Sequence, residues 1–446
     1  MKKIITMMLC ATISLLTLVG CGEERKENIS SPVEDTNQST ELKNAKNGHI
    51  IDYVYEFSDG YSWIKVVDTE TGDNNNYRYA FINSFGEIQF FLDEKIEGTA
   101  LYAGGYKDGF SLVNNGIELL VMITQGEILL SATEVGFDDV LAFGDGYFAV
   151  QKYVNDFHTA EYKVFVIDQQ GNMIGDYLAS QQEAFDSYDI DYLQEGIFTY
   201  PNNDSKLFNA KTGKSIEINP DYEINEIYDC FVNGNCLVSV KDIYTKDYQL
   251  ALLHKDGSLE TCKTNTPSYL LSDGISDDGF IYSTNTDNSV EDLYFYDLLS
   301  KKSNLIYSCG TGIELPIQTG GGPVRKNFGS NIFSFNNGYS TILIRGNKSS
   351  YFTVVDKLGN IQFEPKECYK AEGISCNRIV SEQHGDYKIF TEKGEEIPIP
   401  DDYIIHQDSY SDNLIAVHKE IDEEWSSCNY IDIDGNLLFE NDMIYY

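Results

Sequence analysis

One repeated phrase limits what this chain can fold into more than any other feature. An aromatic or aliphatic residue, a polar residue, Asp or Asn, and then Gly lead into an apolar strand. Clear copies are FSDGYSWIKV (57–66), YKDGFSLV (106–113), FGDGYFAVQKY (143–153), LQEGIFTY (193–200), FVNGNCLVSV (231–240), SDDGFIYST (276–284) and FNNGYSTILI (335–344). Weaker copies are GISCNRIVSE (373–382) and YSDNLIAVH (410–418). A second phrase follows each copy: an apolar strand, a turn, and another strand, as in VFVIDQQGNMI (164–174), FTVVDKLGNIQFE (352–364) and YIDIDGNLLFE (430–440). Its turns fall at Gly86, Gly126, Gly171, Gly213, Gly257, near Ser300, and at Gly359, Gly394 and Gly435, mostly 40 to 45 residues apart. Self-similarity at such a period must be read before any local motif.

The residues of one unit explain its shape. Runs such as Val164 to Ile167 predict half-buried antiparallel strands, with Phe165 and Ile167 on one side and Val164 and Val166 on the other. Tyr and Phe, 32 and 24 residues in all, pack well on pleated surfaces. Asp-Gly and Asp-x-x-Gly-Asn supply residues that tolerate positive φ in tight hairpins. Helical patterning is nearly absent, with LASQQEAFDSY (178–188) the one modest candidate. Such units cannot bury their own faces and must stack on neighbours. A period of 40 to 45 with three or four strands per unit matches a β-propeller blade. We therefore expect an all-β fold over residues 49–446, a single β-propeller of about eight blades within a range of seven to nine. HIIDYVYEF (49–57) is expected to complete the last blade, closing the ring and removing exposed edges.

The start of the chain belongs to a different class. Met1-Lys2-Lys3 is a short basic region, residues 4–19 are apolar apart from a few Thr, Ser and Cys, and the stretch ends in Leu18-Val19-Gly20-Cys21. It is short for a spanning helix, which needs about 20 apolar residues. The three parts in register resemble the signal peptide and lipobox of bacterial lipoproteins. That resemblance implies removal of residues 1–20, acyl chains on Cys21, and a protein held on the outer face of a membrane, with palmitate-like chains as the anchor. Residues 21–48 hold too few apolar side chains to order themselves and read as a flexible tether reaching about 30 Å.

The repeat domain resembles the bacterial WG-repeat proteins. Matching residues are Asp108-Gly109-Phe110, Asp145-Gly146-Tyr147, Phe81-Ile82-Asn83 with Gly86, and Val166-Ile167-Asp168 with Gly171. The Trp-Gly pair that names the family is missing, and the tryptophans are Trp63 and Trp425. The resemblance implies a binding scaffold.

Charge excludes some partners. With 32 basic against 71 acidic residues the net charge is −39. That argues against nucleic acid and against electrostatic adhesion to anionic lipid. Beyond Cys10 and Cys21, seven cysteines remain, an odd number without Cys-x-x-Cys spacing. Either Cys230–Cys236 or Cys368–Cys376 could bridge in an oxidising compartment, but buried free thiols are the favoured reading. His406 and His418, which bracket a loop and a strand, are a weak candidate for sharing a metal. Asp432-x-Asp434-Gly-Asn436 and Asp277-Asp278-Gly279 resemble fragments of calcium loops. They lack the further acidic ligands such loops need, so we expect hairpin turns and leave room only for structural calcium. SCGTGIELPIQTGGGPVRKNFG (308–329) interrupts the period. It lacks the Lys-Ser/Thr of a phosphate loop, so Arg325 and Lys326 are candidate partner contacts on a loop. No Gly-x-Ser-x-Gly occurs, and no cofactor is expected. The expected function is a membrane-tethered extracytoplasmic scaffold binding a protein or glycan through the propeller. The alternative is a propeller-fold hydrolase or lyase acting on exported glycans or peptides.

Overall fold

The computed structural model describes residues 48–445 except 69–76, 97–101, 157–158, 182–191, 201–202, 229–230, 265–267, 270–274, 277, 287–288, 309–326, 333–334, 346–348, 406–409 and 421–425. Among the described residues the chain forms nine antiparallel sheets, each a meander in chain order. The first holds Gly48–Val54, Tyr61–Asp68, Tyr77–Asn83 and Ile88–Phe91. The others follow at 102–131, 139–181, 197–217, 222–261, 268–308, 327–368, 370–397 and 404–432. No described helix is long and apolar enough to cross a membrane. Residues 178–181 of the helix candidate lie in strand Met173–Gln181, and the rest lie outside the described residues.

The sheets close into a ring, as the buried clusters show. There are nine, and each joins two consecutive sheets. Trp63 and Phe81 meet Val113 and Met122 between sheets one and two. Phe110 and Val121 meet Phe148 and Ile167 between two and three. The series runs on through sheets three to nine. The last cluster joins Leu414, Ala416 and Tyr430 of sheet nine to Ile51, Val54 and Ile64 of sheet one. Nine sheets with nine shared cores are a nine-bladed β-propeller arrangement.

Central strands serve two cores at once. Phe148 and Val150 face sheet two while Ala149 faces sheet four. Ile415 and Val417 face sheet eight while Leu414 and Ala416 face sheet one. The expectation of half-buried strands is thus corrected: Val164, Val166 and Ile167 are all fully buried, because a blade has a neighbour on each side.

The degenerate copies also make sheets, of four strands at 370–397 and of three at 404–432 among the described residues. Asp145 and Gly146 have φ of 51° and 77°, and Cys376-Asn377 and Asp412-Asn413 take the same turn at 51° and 59° and at 49° and 65°. Asn tolerates the left-handed region, so a hairpin forms without the glycine.

Closure runs opposite to the expected direction. Gly48–Val54 is the first strand of sheet one, and the C-terminal Met443–Tyr445 adds to its free edge, pairing Gly48 with Tyr445, His49 with Ile444 and Ile50 with Met443. Tyr430, fully buried, also donates its hydroxyl to the Tyr55 carbonyl at 2.5 Å across the seam.

Candidate functional site

Both phrases become turns at one end of the ring. In a meander, the turn from first to second strand and the turn from third to fourth lie at the same end. Backbone bonds join them: Ser84 N–H donates to the Gly60 carbonyl at 2.9 Å, Ala210 N–H to Gly196 at 2.8 Å, and Leu298 N–H to Asp278 at 2.9 Å. All the Asp-Gly turns and Asp-x-x-Gly-Asn turns therefore build one face of the propeller.

The third-to-fourth turns are self-contained. Asp168 accepts from the Gln170 and Asn172 N–H groups at 2.9 Å each, and the Asn172 amide donates back to it at 3.1 Å. Asp356 does the same with Leu358 and Asn360, and Asp432 with Asp434 and Asn436. Burial acts to raise these three carboxyls, but the donated hydrogen bonds outweigh it and hold them below the ordinary value. In the Asp432 fragment the carboxylate thus faces its own turn, with the Asn436 amide nitrogen directed at both oxygens.

The first-to-second turns instead reach across blades. Asp412 of sheet nine accepts from the Gly60 N–H of sheet one at 2.8 Å. Asp59 accepts from the Asp108 N–H of sheet two at 2.8 Å. Asp108 in turn accepts from the Asp145 backbone of sheet three, and Asp145 meets the Tyr192 hydroxyl at the edge of sheet four. Further round, Lys255 pairs with Glu195, Lys357 pairs with Asp278, and Asn337 bonds Asn377 at 3.2 Å. Burial raises the Asp108 carboxyl, helped by the charges of Asp59 and Asp145 and opposed by Lys107. Burial and the Asp145 carboxylate push the Tyr192 hydroxyl up as well. Between the turns of sheets five, six and seven lies a cavity of about 580 Å³, walled by Val232, Ser276, Asp278, Asn336 and Asn337, with Lys357 at its side.

The site is thus a rim of interlocked turns, acidic over one arc and amide-bearing over another, with a concavity in the second. Such groups suit hydroxyl, amide and ammonium partners. Sequence reasoning treated these residues as architecture alone. The available signal was that the copies differ in carrying Asp or Asn at one position. Of the residues singled out beforehand, Cys21, Arg325, Lys326 and His406 lie outside the described residues. His418 pairs with Cys428 across neighbouring strands. Cys368 and Cys376 are both free thiols, while Cys230 lies outside the described residues. Among the described residues no group of three or more His, Cys, Asp or Glu is arranged to hold a metal ion.

No protein family's sequence model and no curated protein matches the chain. Solved structures similar to it include the β-propeller domain of the trilobed protease from Pyrococcus furiosus, described as having an open velcro topology. It shares 12% identity over 78% of this chain and 94% of that one, with a TM-score of 0.33. An oligogalacturonate lyase in complex with manganese matches at 8% identity over 60% and 80%, with a TM-score of 0.28. Dipeptidyl peptidase 4 of Porphyromonas gingivalis matches at 9% over 83% of this chain and 57% of its own length, with a TM-score of 0.35. The fold assignment rests on the nine sheets and their shared cores.

Proposed function

We propose that this chain is a lipid-anchored extracytoplasmic binding protein of the WG-repeat kind, tethered through Cys21 to the outer face of a membrane, and that the turn face of its propeller binds a protein or glycan partner. One observation carries the reading. Asn233 and Asn337 occupy the turn position with φ of 50° each, and Asp59, Asp108, Asp145 and Asp412 occupy it at 49° to 52°. The turn therefore forms without a carboxylate. Asp412, Asp59 and Asp108 also accept a backbone N–H from the next blade, a role an amide oxygen can fill, so it is the charge itself, repelling between consecutive blades, that the reading assigns to a partner.

Two experiments test the reading. Radiolabelled palmitate should enter the wild-type chain and not Cys21→Ala; absence of label from both removes the anchor. A photo-crosslinking residue at Glu195 or Asn337 should yield a discrete product in cells, and one at Tyr153, remote from the turns, should not. Equal patterns from both faces would refute the assignment of the face.

A second reading, a hydrolase or lyase acting on exported glycans or peptides, is favoured by Asp108 alone. Its raised carboxyl beside Asp59 and Asp145 is the pattern of a general acid. No turnover of any member of a glycan and peptide panel by the wild-type chain would exclude it, and turnover that survives Asp108→Asn would exclude Asp108 as its acid.

A further inference from the structure

Away from the turns, the junction between sheets one and two carries a cluster of tyrosines. Tyr53 on the first strand of sheet one and Tyr102 on the first strand of sheet two are 42% and 50% exposed. Both contact Tyr55, with ring centroids at 4.9 Å and 6.5 Å and near-perpendicular planes. Tyr55 also lies 6.5 Å from Tyr79, and Tyr79 lies 5.7 Å from Tyr77. Cross-strand register sets Tyr53, Lys65 and Tyr79 in one row across three strands. The core of the same junction is made by Trp63, Phe81, Phe90 and Tyr106, which pack together without Tyr53 or Tyr102.

We propose that this cluster is a binding platform for a neutral glycan, separate from the turn face. Tyr53 and Tyr102 each offer a flat apolar face with a hydroxyl at its edge, the combination that a sugar ring and its hydroxyls match, while the buried Tyr79 backs them. Two exposed aromatics that share the partly buried Tyr55 between them mark a contact site on a folded surface. Charge selects the class of ligand. The one cation in the row, Lys65, is held by Asp52 at 2.7 Å and sits 4.6 Å over the Tyr77 ring. It is therefore neutralised against an anion, and it already covers the Tyr77 face that an external ammonium group would take. The net charge of −39 further repels polyanions.

Affinity electrophoresis of the full chain in native gels tests this, with laminarin, xylan or hydroxyethyl cellulose in the gel and polygalacturonate as the anionic counterpart. At least one neutral polymer should retard the chain, and polygalacturonate should not. Tyr53→Ala with Tyr102→Ala should weaken retardation at least ~10-fold, on the scale of two lost aromatic contacts. Tyr53→Phe with Tyr102→Phe should keep most of it. Both positions are half exposed, so an unchanged melting curve checks the fold of each variant. The proposal is overturned by no retardation in any neutral polymer, by retardation in polygalacturonate alone, or by undiminished retardation of the double alanine variant.

Discussion

Replacing Asp442 by Ala should open the ring at its seam. Asp442 is 6% exposed and has φ of 55°, immediately before the closing strand Met443–Tyr445, which pairs with Gly48–Ile50. One carboxylate oxygen accepts from the Asn429 amide at 2.7 Å and from the Tyr403 hydroxyl, and the other accepts from the Ser427 hydroxyl at 2.7 Å. Asn429 is fully buried and also donates to the Phe439 carbonyl at 2.8 Å. Removing the carboxylate strands three donors, each worth about 1–3 kcal/mol when buried without a partner. Entry of water recovers part of this, and Ala at positive φ adds strain of order 1 kcal/mol. The expected loss is about 3–5 kcal/mol in urea unfolding followed by intrinsic fluorescence. The loss should be local first. Amide exchange in native buffer should rise in peptides covering 440–445 and 48–54 and stay unchanged in 235–254, on the far side of the ring. A loss under about 1 kcal/mol, or equal gains in exchange at both places, would refute the reasoning.

The thiols of Cys262, Cys368 and Cys428 are each pushed up to about 12 by burial, so Ellman's reagent at pH 8 should reach none of them until the chain unfolds; reaction within minutes in native buffer would contradict their burial. Gly435→Ala should destabilise by about 2–4 kcal/mol, since an added Cβ would sit 2.3 Å from the Pro398 carbonyl at φ +86°. Gly60→Ala, at φ +79° with nothing within 4 Å, should lose only about 1 kcal/mol by the same unfolding assay. The hairpin carboxylates Asp168, Asp356 and Asp432 are held below their ordinary value. A depressed folded value gives stability that is present above the unfolded value near 3.9 and lost as pH falls through the folded one. The stability gap between wild type and the triple Asp→Asn variant should therefore be open at pH 6 and close below about pH 4; a constant gap would contradict the sign.

Hairpins and period were legible because each is written within one unit. Asp145-Gly146 and Asp168 with Gly171-Asn172 specify turns by their own backbone preferences, and the copies count the blades. The two degenerate copies blurred that count, since Cys376-Asn377 reaches the same dihedrals without glycine. Closure was less legible. Met443–Tyr445 is three residues long and repeats nothing, and its partner is set by ring geometry. Inter-blade contacts were not legible at all. Gly60 and Asp412 are 352 positions apart, and nothing local distinguishes Asp412, which caps a neighbour, from Asp168, which caps its own turn.

That last contrast locates what folding does not explain. The acceptor role at a first-to-second turn needs only a side-chain oxygen, which Asn supplies as well as Asp. Asn337 fills that position in sheet seven and bonds the next turn as a donor instead, its amide nitrogen reaching the Asn377 side-chain oxygen. If the acidic arc served architecture, converting Asp59, Asp108, Asp145 and Asp412 to Asn should destabilise the chain. If it serves a partner, the conversion should leave the melting temperature unchanged or raise it, because neighbouring like charges are removed from the rim, while the crosslinked product from Glu195 is lost. Retention of that product by a stably folded quadruple variant would show that the charge does not serve the partner bound at this face.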